Sequence, residues 1–192
     1  MLTLYFAPGS SSMAAHIALH EVGVPFESRA VSFKRKETRT PEFLAMNPRG
    51  KVPVLVVDGH VLTEVAGILF YLARRYPESG LLPAGDALAE GEVVSWMSFL
   101  ASGVHPSRQA GMDVLREMHA LADRRLGSGD WAVGDAYSIA DIHLFRLYWR
   151  SRAQLDPGAL PNLERHYQAV MARPAVRKTI EIESAVGYEL PE

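Results

Sequence analysis

Residues 47–65, which read NPRGKVPVLVVDGHVLTEV, constrain the fold more than any other part of the chain. An almost uninterrupted β-branched run leads into Asp58-Gly59 and a second short apolar run, a pattern that predicts an antiparallel hairpin with a tight turn. Pro53 falls where the first strand begins, so it removes one ladder donor and holds Val52 extended. Either this is only a proline at the start of a strand, or a cis Val52-Pro53 bond presents the main-chain N–H and C=O of Val52 to an extended ligand.

A helix is predicted directly after this hairpin. Thr63-Glu64 precedes apolar residues with helical spacing, so Thr63 or Glu64 lies at a helix N-terminus. The unpaired amide donors and the helix dipole at such an end favour a bound carboxylate. The segment therefore combines an edge for an extended peptide with an anion site.

The composition excludes several kinds of site. The 192 residues contain no cysteine, so disulfides, thiolate metal sites and a cysteine nucleophile are absent. A formal net charge of −2 does not indicate a polyanion as partner. The N-terminus lacks the pattern of a signal peptide, and no apolar run approaches the length of a membrane span. We therefore expect a soluble, cytoplasmic protein with no nucleic-acid or membrane partner.

Residues 1–77 have the pattern of a small mixed α/β domain. A first strand ends at Pro8-Gly9, three serines precede a helix, and a second strand follows at about residue 27. Strand, helix, strand implies two parallel strands. Helix capping accounts for at least one of the serines and leaves hydroxyl groups to spare at the positive end of the helix.

The remainder of the chain has a different pattern. Residues 78–86, rich in proline and glycine, predict a linker, and residues 87–192 predict only helices. The sequence SIAD at residues 138–141 predicts a capping box, so we interpret Asp141 as a helix cap rather than a catalytic acid. No histidines have the spacing of metal ligands, and no metal site is predicted.

Several motifs in the same order resemble the glutathione transferase family across nearly the whole chain. They are NPRGKVPVL at residues 47–55, LTE at 62–64 and GDAYSIADIHLF at 134–145. Within the family, the chain is most similar to the bacterial beta class, on PGSSSMAAHIALHEVGVPFE at residues 8–27 and on Trp96 followed by His105. The resemblance implies an α/β plus all-α fold: a thioredoxin-like N-terminal domain followed by an all-helical C-terminal domain. It also implies glutathione as co-substrate and a homodimer.

The resemblance assigns glutathione-binding roles to residues of the first domain. Val52, preceding the cis Pro53, would hold the cysteinyl part through its main chain, and Glu64 with the Val65 amide would hold the γ-glutamyl end. Lys36, with Lys34 and Arg35 as alternatives, and Lys51 would meet the glycine carboxylate; without the resemblance these lysines read as a solvated basic loop. Ser10, beside Ser11, is the remaining residue expected to bind glutathione.

Two residues depart from the family pattern. Val65 stands where the family often has serine, which removes one hydroxyl to the γ-glutamyl carboxylate. A hydrogen bond to a charged group contributes about 1.5–3 kcal/mol, so we expect glutathione binding to weaken about tenfold or more. Ser11 stands where the beta class has cysteine. A serine forms no mixed disulfide with glutathione but can donate a hydrogen bond to its thiolate, which disfavours disulfide-reductase chemistry.

The implied chemistry is activation of the glutathione thiol for attack on an apolar electrophile. A free thiol has a pKa of about 8.5, and a hydroxyl donor at a helix N-terminus lowers it. Ser11 is the favoured donor, with Ser10, Ser12 and Tyr5 as alternatives. His105 is either a second catalytic residue facing the thiol or a histidine favoured there by a helix dipole. A non-catalytic binding or scaffold protein with weakened glutathione affinity is the alternative function.

Overall fold

The computed structural model describes residues 1–83 and 85–190, which form two compact units. One unit contains residues 1–75 and 174–190, and the other contains residues 76–173. The boundaries expected from the sequence, 1–77 and 87–192, differ from these units because the last helix packs with the first unit. Ala84 of the expected linker and residues 191–192 lie outside the described residues.

Among the described residues, the strands all belong to the first unit. The strands of the described chain are β1 (Leu2–Phe6), β2 (Glu27–Ala30), β3 (Val54–Val57) and β4 (His60–Thr63). The α-helices are α1 (Ser12–Val22), α2 (Pro41–Met46), α3 (Val65–Arg75), α4 (Ala87–Phe99), α5 (His105–Ser107), α6 (Met112–Leu126), α7 (Ile139–Ser151), α8 (Pro161–Met171) and α9 (Pro174–Val186). A π-helical turn, Leu100–Val104, joins α4 to α5, and 3₁₀ turns lie at Glu37–Arg39, Pro77–Ser79, Arg152–Gln154 and Pro157–Ala159.

The strands form one mixed sheet in the order β2-β1-β3-β4. β1 and β2 are parallel, with Thr3 opposite Glu27, and α1 lies between them in the chain, as predicted. β3 and β4 are antiparallel and meet at Asp58-Gly59, where φ is 48° and 88°. Positive φ at both central residues is what a two-residue type I′ turn requires. The hairpin prediction is confirmed.

Helix α1 is the centre of the first unit. Its residues from Ser12 to Leu19 are buried, and it ends at Gly23, whose φ of 70° suits a left-handed helix cap. It packs against β1, α3 and α9. The N-terminal end of α1 is therefore held between the sheet and the last helix of the chain.

Helix α7 is the most buried element of the helical unit. The predicted capping box at its start is confirmed: the Ser138 hydroxyl accepts from the Ala140 N–H at 3.2 Å, and Asp141 accepts from the Ser138 N–H at 2.8 Å. Of the helices described, none is both long and apolar enough to cross a membrane.

Candidate functional site

The three serines before α1 make different hydrogen bonds. Ser12 is fully buried, and its hydroxyl bonds the N–H and the carbonyl of Ala7, both at 3.1 Å. The hydroxyls of Ser10 and Ser12 lie 2.8 Å apart. Ser11 is only partly buried, makes no side-chain cap, and donates its hydroxyl to the Val52 carbonyl at 2.9 Å. Ser11 is therefore the serine that faces residue 52.

Tyr5 lies in a different environment. Its hydroxyl accepts a hydrogen bond from Arg29 Nη1 at 3.2 Å, and its ring packs edge-on against Phe43. Arg29 lies opposite Tyr5 on β2, so this contact is built into the strand register. The Tyr5 hydroxyl is thus directed towards β2.

The peptide bond between Val52 and Pro53 is cis, as expected. Val52 is buried, and its carbonyl already accepts from Ser11. In the described part of the chain its N–H has no hydrogen-bond partner. Two main-chain groups of Val52 are predicted to face a ligand. Among the described residues its N–H has no partner, whereas its carbonyl already accepts a hydrogen bond from Ser11.

Glu64 immediately precedes α3 and has a left-handed conformation, with φ of 67°. Its carboxylate accepts from Arg49 Nη1 at 2.6 Å. Arg49 is itself held by its backbone, because its N–H donates to Asn47 Oδ1 at 3.1 Å and its carbonyl accepts from Arg39 at 3.3 Å. Arg49 is a residue that sequence reasoning missed. Its place in the NPRGKVPVL motif gave no sign of a partner 15 residues further along.

The start of α3 retains donors for an anion. Val65 is the first residue of the helix and is half-buried, and among residues 1–83 and 85–190 its N–H has no partner. Among the described residues, the amide that the family resemblance assigns to the γ-glutamyl end is therefore unpaired. A valine side chain adds no further donor.

The basic residues of the first unit are not equivalent. Arg35 is paired with Glu37 at 2.9 Å, and this contact lowers the pKa of the Glu37 carboxyl. Lys36 and Lys51 are exposed, and neither side chain forms an ion pair with another described residue. Lys36 also has φ of 57°, which sets it at the start of a 3₁₀ turn. The geometry favours lysine over Arg35 as a ligand for a carboxylate.

His105 belongs to the helical unit, where it begins α5 and is exposed. Burial lowers the pKa of His143 to about 3, and Arg146 and His105 add to that shift. The role of His105 beside a thiol stays a prediction. Across residues 1–83 and 85–190, no group of three or more His, Asp or Glu side chains is arranged to hold a metal ion.

Two family models match most of the chain. Residues 1–74 match the family model of the glutathione S-transferase N-terminal domain, and residues 93–174 match that of the C-terminal domain. A glutathione S-transferase of Xanthomonas campestris pv. campestris is 31% identical, over 95% of this chain and 98% of that protein.

Solved structures give the same result. A sphingomonad glutathione S-transferase complexed with glutathione superposes with a TM-score of 0.86 at 35% identity, covering 95% of this chain and 98% of the other. The bacterial beta class enzyme of Sphingomonas chungbukensis gives a TM-score of 0.83 at 32% identity, with 94% and 98% covered. The expected fold class, a thioredoxin-like domain followed by a helical domain, is confirmed. The chain belongs to the glutathione S-transferase family.

Proposed function

We propose that this protein binds glutathione along residues 52–65 and activates its thiol with Ser11. One contact carries the proposal: the Ser11 hydroxyl lies 2.9 Å from the Val52 carbonyl. Because of this contact, the proposed hydrogen-bond donor to the thiolate lies beside Val52, whose main chain is proposed to bind the cysteinyl part of the tripeptide. The sphingomonad relative, solved in complex with glutathione, supports the same ligand here.

The two ends of the tripeptide would meet charged or amide groups. At the γ-glutamyl end, the Val65 N–H and the start of α3 favour the α-carboxylate, and Glu64 would accept from the ammonium group. Arg49 holds the Glu64 carboxylate at 2.6 Å and so limits its rotamers. At the other end, Lys36 and Lys51 would attract the glycine carboxylate.

The chemistry follows from the position of Ser11. Its hydroxyl lies at the N-terminal end of α1, where the helix dipole and an O–H donor both favour a thiolate over a thiol. Rotation about χ1 would turn the hydroxyl from the Val52 carbonyl to the sulfur. The thiolate then forms a bond to an electrophilic carbon of an apolar substrate, and the leaving group departs with the electron pair of the broken bond.

We also propose a cytoplasmic homodimer. Val61 on β4 and Phe70 on α3 are 43% and 41% exposed, although both are large apolar residues of the first unit. Cover from a second copy would remove this surface from water.

Titration of bound glutathione, followed by the ultraviolet absorbance of its thiolate, tests the proposal. Ser11→Ala should raise the pKa of the bound thiol by about 1–2 units, because a hydrogen bond to a charged group contributes about 1.5–3 kcal/mol and one pKa unit is about 1.4 kcal/mol. Tyr5→Phe is the matched control, since it removes the other candidate hydroxyl, and should leave that pKa unchanged.

Two results would contradict the proposal. One is an unchanged titration in Ser11→Ala, or a shift found only in Tyr5→Phe. The other is failure of the unmodified protein to bind glutathione-agarose at low salt, which would favour the scaffold alternative based on Val65.

A further inference from the structure

The loop that presents Ser11 begins with a tight turn. The Ser10 N–H donates to the Ala7 carbonyl at 3.0 Å, with Pro8 and Gly9 as the two central residues. Gly9 has φ of 71°, so proline followed by a left-handed glycine matches a type II turn. The Gly9 N–H is not used inside the turn and points to another part of the first unit.

Glu183 on α9 accepts a hydrogen bond from this N–H. Its Oε2 accepts from Gly9 at 2.7 Å, and its Oε1 lies 2.9 Å from Nδ1 of His16 on α1. Both side chains of this pair are completely buried. A buried carboxylate is stable only where hydrogen bonds or charges compensate it, and these two donors do so. Glu183 thus joins the turn to the body of α1.

The residues after α9 reinforce the same place. A methyl group added at Gly9 would lie within 2.8 Å of Tyr188 and 2.9 Å of Leu190, so both side chains pack directly on the turn. Glu189 accepts from the Ser32 hydroxyl at 2.5 Å, in the loop that leads to Lys36. The C-terminal segment therefore contacts both loops that flank the proposed glutathione site.

We infer that Glu183 is a positioning residue for the Ser11 hydroxyl. It acts through Gly9, two residues before Ser11, by accepting the Gly9 N–H and so fixing the turn. The inference rests on the proposed function of Ser11. A residue that only joined α9 to α1 would contribute to stability and leave the ionisation of bound glutathione unchanged.

The experiment compares three variants of the full chain. Glu183→Ala removes the acceptor, Glu183→Gln keeps an oxygen for the Gly9 N–H but removes the charge, and Thr179→Ala perturbs the same helix one turn earlier. Thr179 is equally buried, and its hydroxyl donates to the Ala175 carbonyl within the same helix. The measurements are the pKa of bound glutathione, the pH profile of kcat/KM and the thermal midpoint.

In Glu183→Ala we expect the pKa of the bound thiol to rise by about one unit, and kcat/KM below that pKa to fall about tenfold. Glu183→Gln should raise the thiol pKa by about half as much, because it keeps an oxygen for the Gly9 N–H but loses the charge, and Thr179→Ala should lower the thermal midpoint without shifting the pH profile. If Glu183→Ala does not fold, a thiol pKa in Glu183→Gln between those of the unmodified protein and Ser11→Ala supports the inference, and an unshifted one overturns it.

The inference is wrong if the Glu183 variants lose only stability, or if Thr179→Ala shifts the thiol pKa as much as Glu183→Ala. Failure of the proposed function has another signature. In that case the unmodified protein either does not bind glutathione or binds it with the pKa of the unbound thiol, before any variant is compared.

Discussion

Each of the two units contains one fully buried pair of a histidine and a carboxylate. In the first unit His16 Nδ1 lies 2.9 Å from Glu183, and in the helical unit His166 Nε2 lies 3.0 Å from Asp141. In both pairs the carboxylate also accepts backbone N–H groups. The same chemistry therefore occurs twice, in different structural settings.

The two carboxylates differ in how many partners they have and how far away those partners lie in the chain. Asp141 accepts four hydrogen bonds: from Ala132 N–H, Ser138 N–H, the Ser138 hydroxyl and His166. Glu183 accepts two, from residues 167 and 174 positions earlier. Asp141 joins the start of α7 to Ala132 and to His166, at most 25 residues away in the chain, whereas Glu183 connects residues near the two ends of the chain.

The comparison predicts that Asp141 matters more for stability. Removal of one partner of a buried pair costs about 3–5 kcal/mol, because it strands the other partner and the buried donors. We expect Asp141→Ala to fall at the upper end of this range and Glu183→Ala at the lower end. Urea unfolding followed by circular dichroism measures both.

Asp156→Ala is a suitable control in the helical unit. Asp156 is exposed, and its carboxylate caps a short turn by accepting from the Gly158 N–H at 2.9 Å, so its loss should cost about 0.5–2 kcal/mol. An Asp141→Ala variant no less stable than Asp156→Ala would show that the buried network adds nothing to ordinary capping.

Asp141 was predictable and Glu183 was not, for a physical reason. A capping box depends on residues three apart, so SIAD at residues 138–141 was enough to predict the cap. The hairpin at Asp58-Gly59 depends on an equally local pattern. A carboxylate near the C-terminus gives no local signal that a turn near the N-terminus will need its oxygen.

The candidate site also contains both predictable residues and contacts that the sequence did not indicate. Ser11, Val52 and Glu64 lie in motifs whose local conformation the sequence indicated, and the structure brings Ser11 to Val52. Arg49 pairs with Glu64 only because the hairpin folds one towards the other. Side-chain contacts across a hairpin or between chain ends depend on tertiary packing, which periodicity does not encode.

An ion pair in the helical unit is intermediate in burial between the buried pairs and the exposed ones. Glu164, with its side chain 24% exposed, accepts from Arg152 at 2.8 and 2.9 Å. These bonds first, then those from Gln168 and Tyr148, lower the pKa of Glu164 to about 2. A lowered folded-state pKa stabilises the protein above the ordinary value of 4.5, and this contribution is lost as the pH falls towards 2.

We expect Glu164→Gln to lower the free energy of unfolding by about 1–2 kcal/mol near neutral pH, after allowance for solvent screening, and by much less at about pH 2. Tryptophan fluorescence reports on this unit, because Trp96, Trp131 and Trp149 all lie within residues 76–173. A difference between the two proteins that stayed constant with pH would exclude ionisation of Glu164 as the cause.

The smallest effect on stability is expected at Arg49 and Glu64. Their 2.6 Å contact is shorter than either buried pair, yet the two side chains are 68% and 64% exposed. Water screens the attraction and holding two long side chains costs entropy, so Arg49→Met should change the free energy of unfolding by about 0.5 kcal/mol or less. Calorimetry measures this change, with Arg116→Met as the control because Arg116 is another exposed arginine paired with a carboxylate.

Across the buried, half-buried and exposed pairs, the distances shorten from 3.0 to 2.8 to 2.6 Å while the expected contribution to stability falls, because burial rather than distance sets that contribution. A loss of several kcal/mol in Arg49→Met would break that ordering and would mean that Arg49 holds the loop before Pro53 by more than an exposed ion pair.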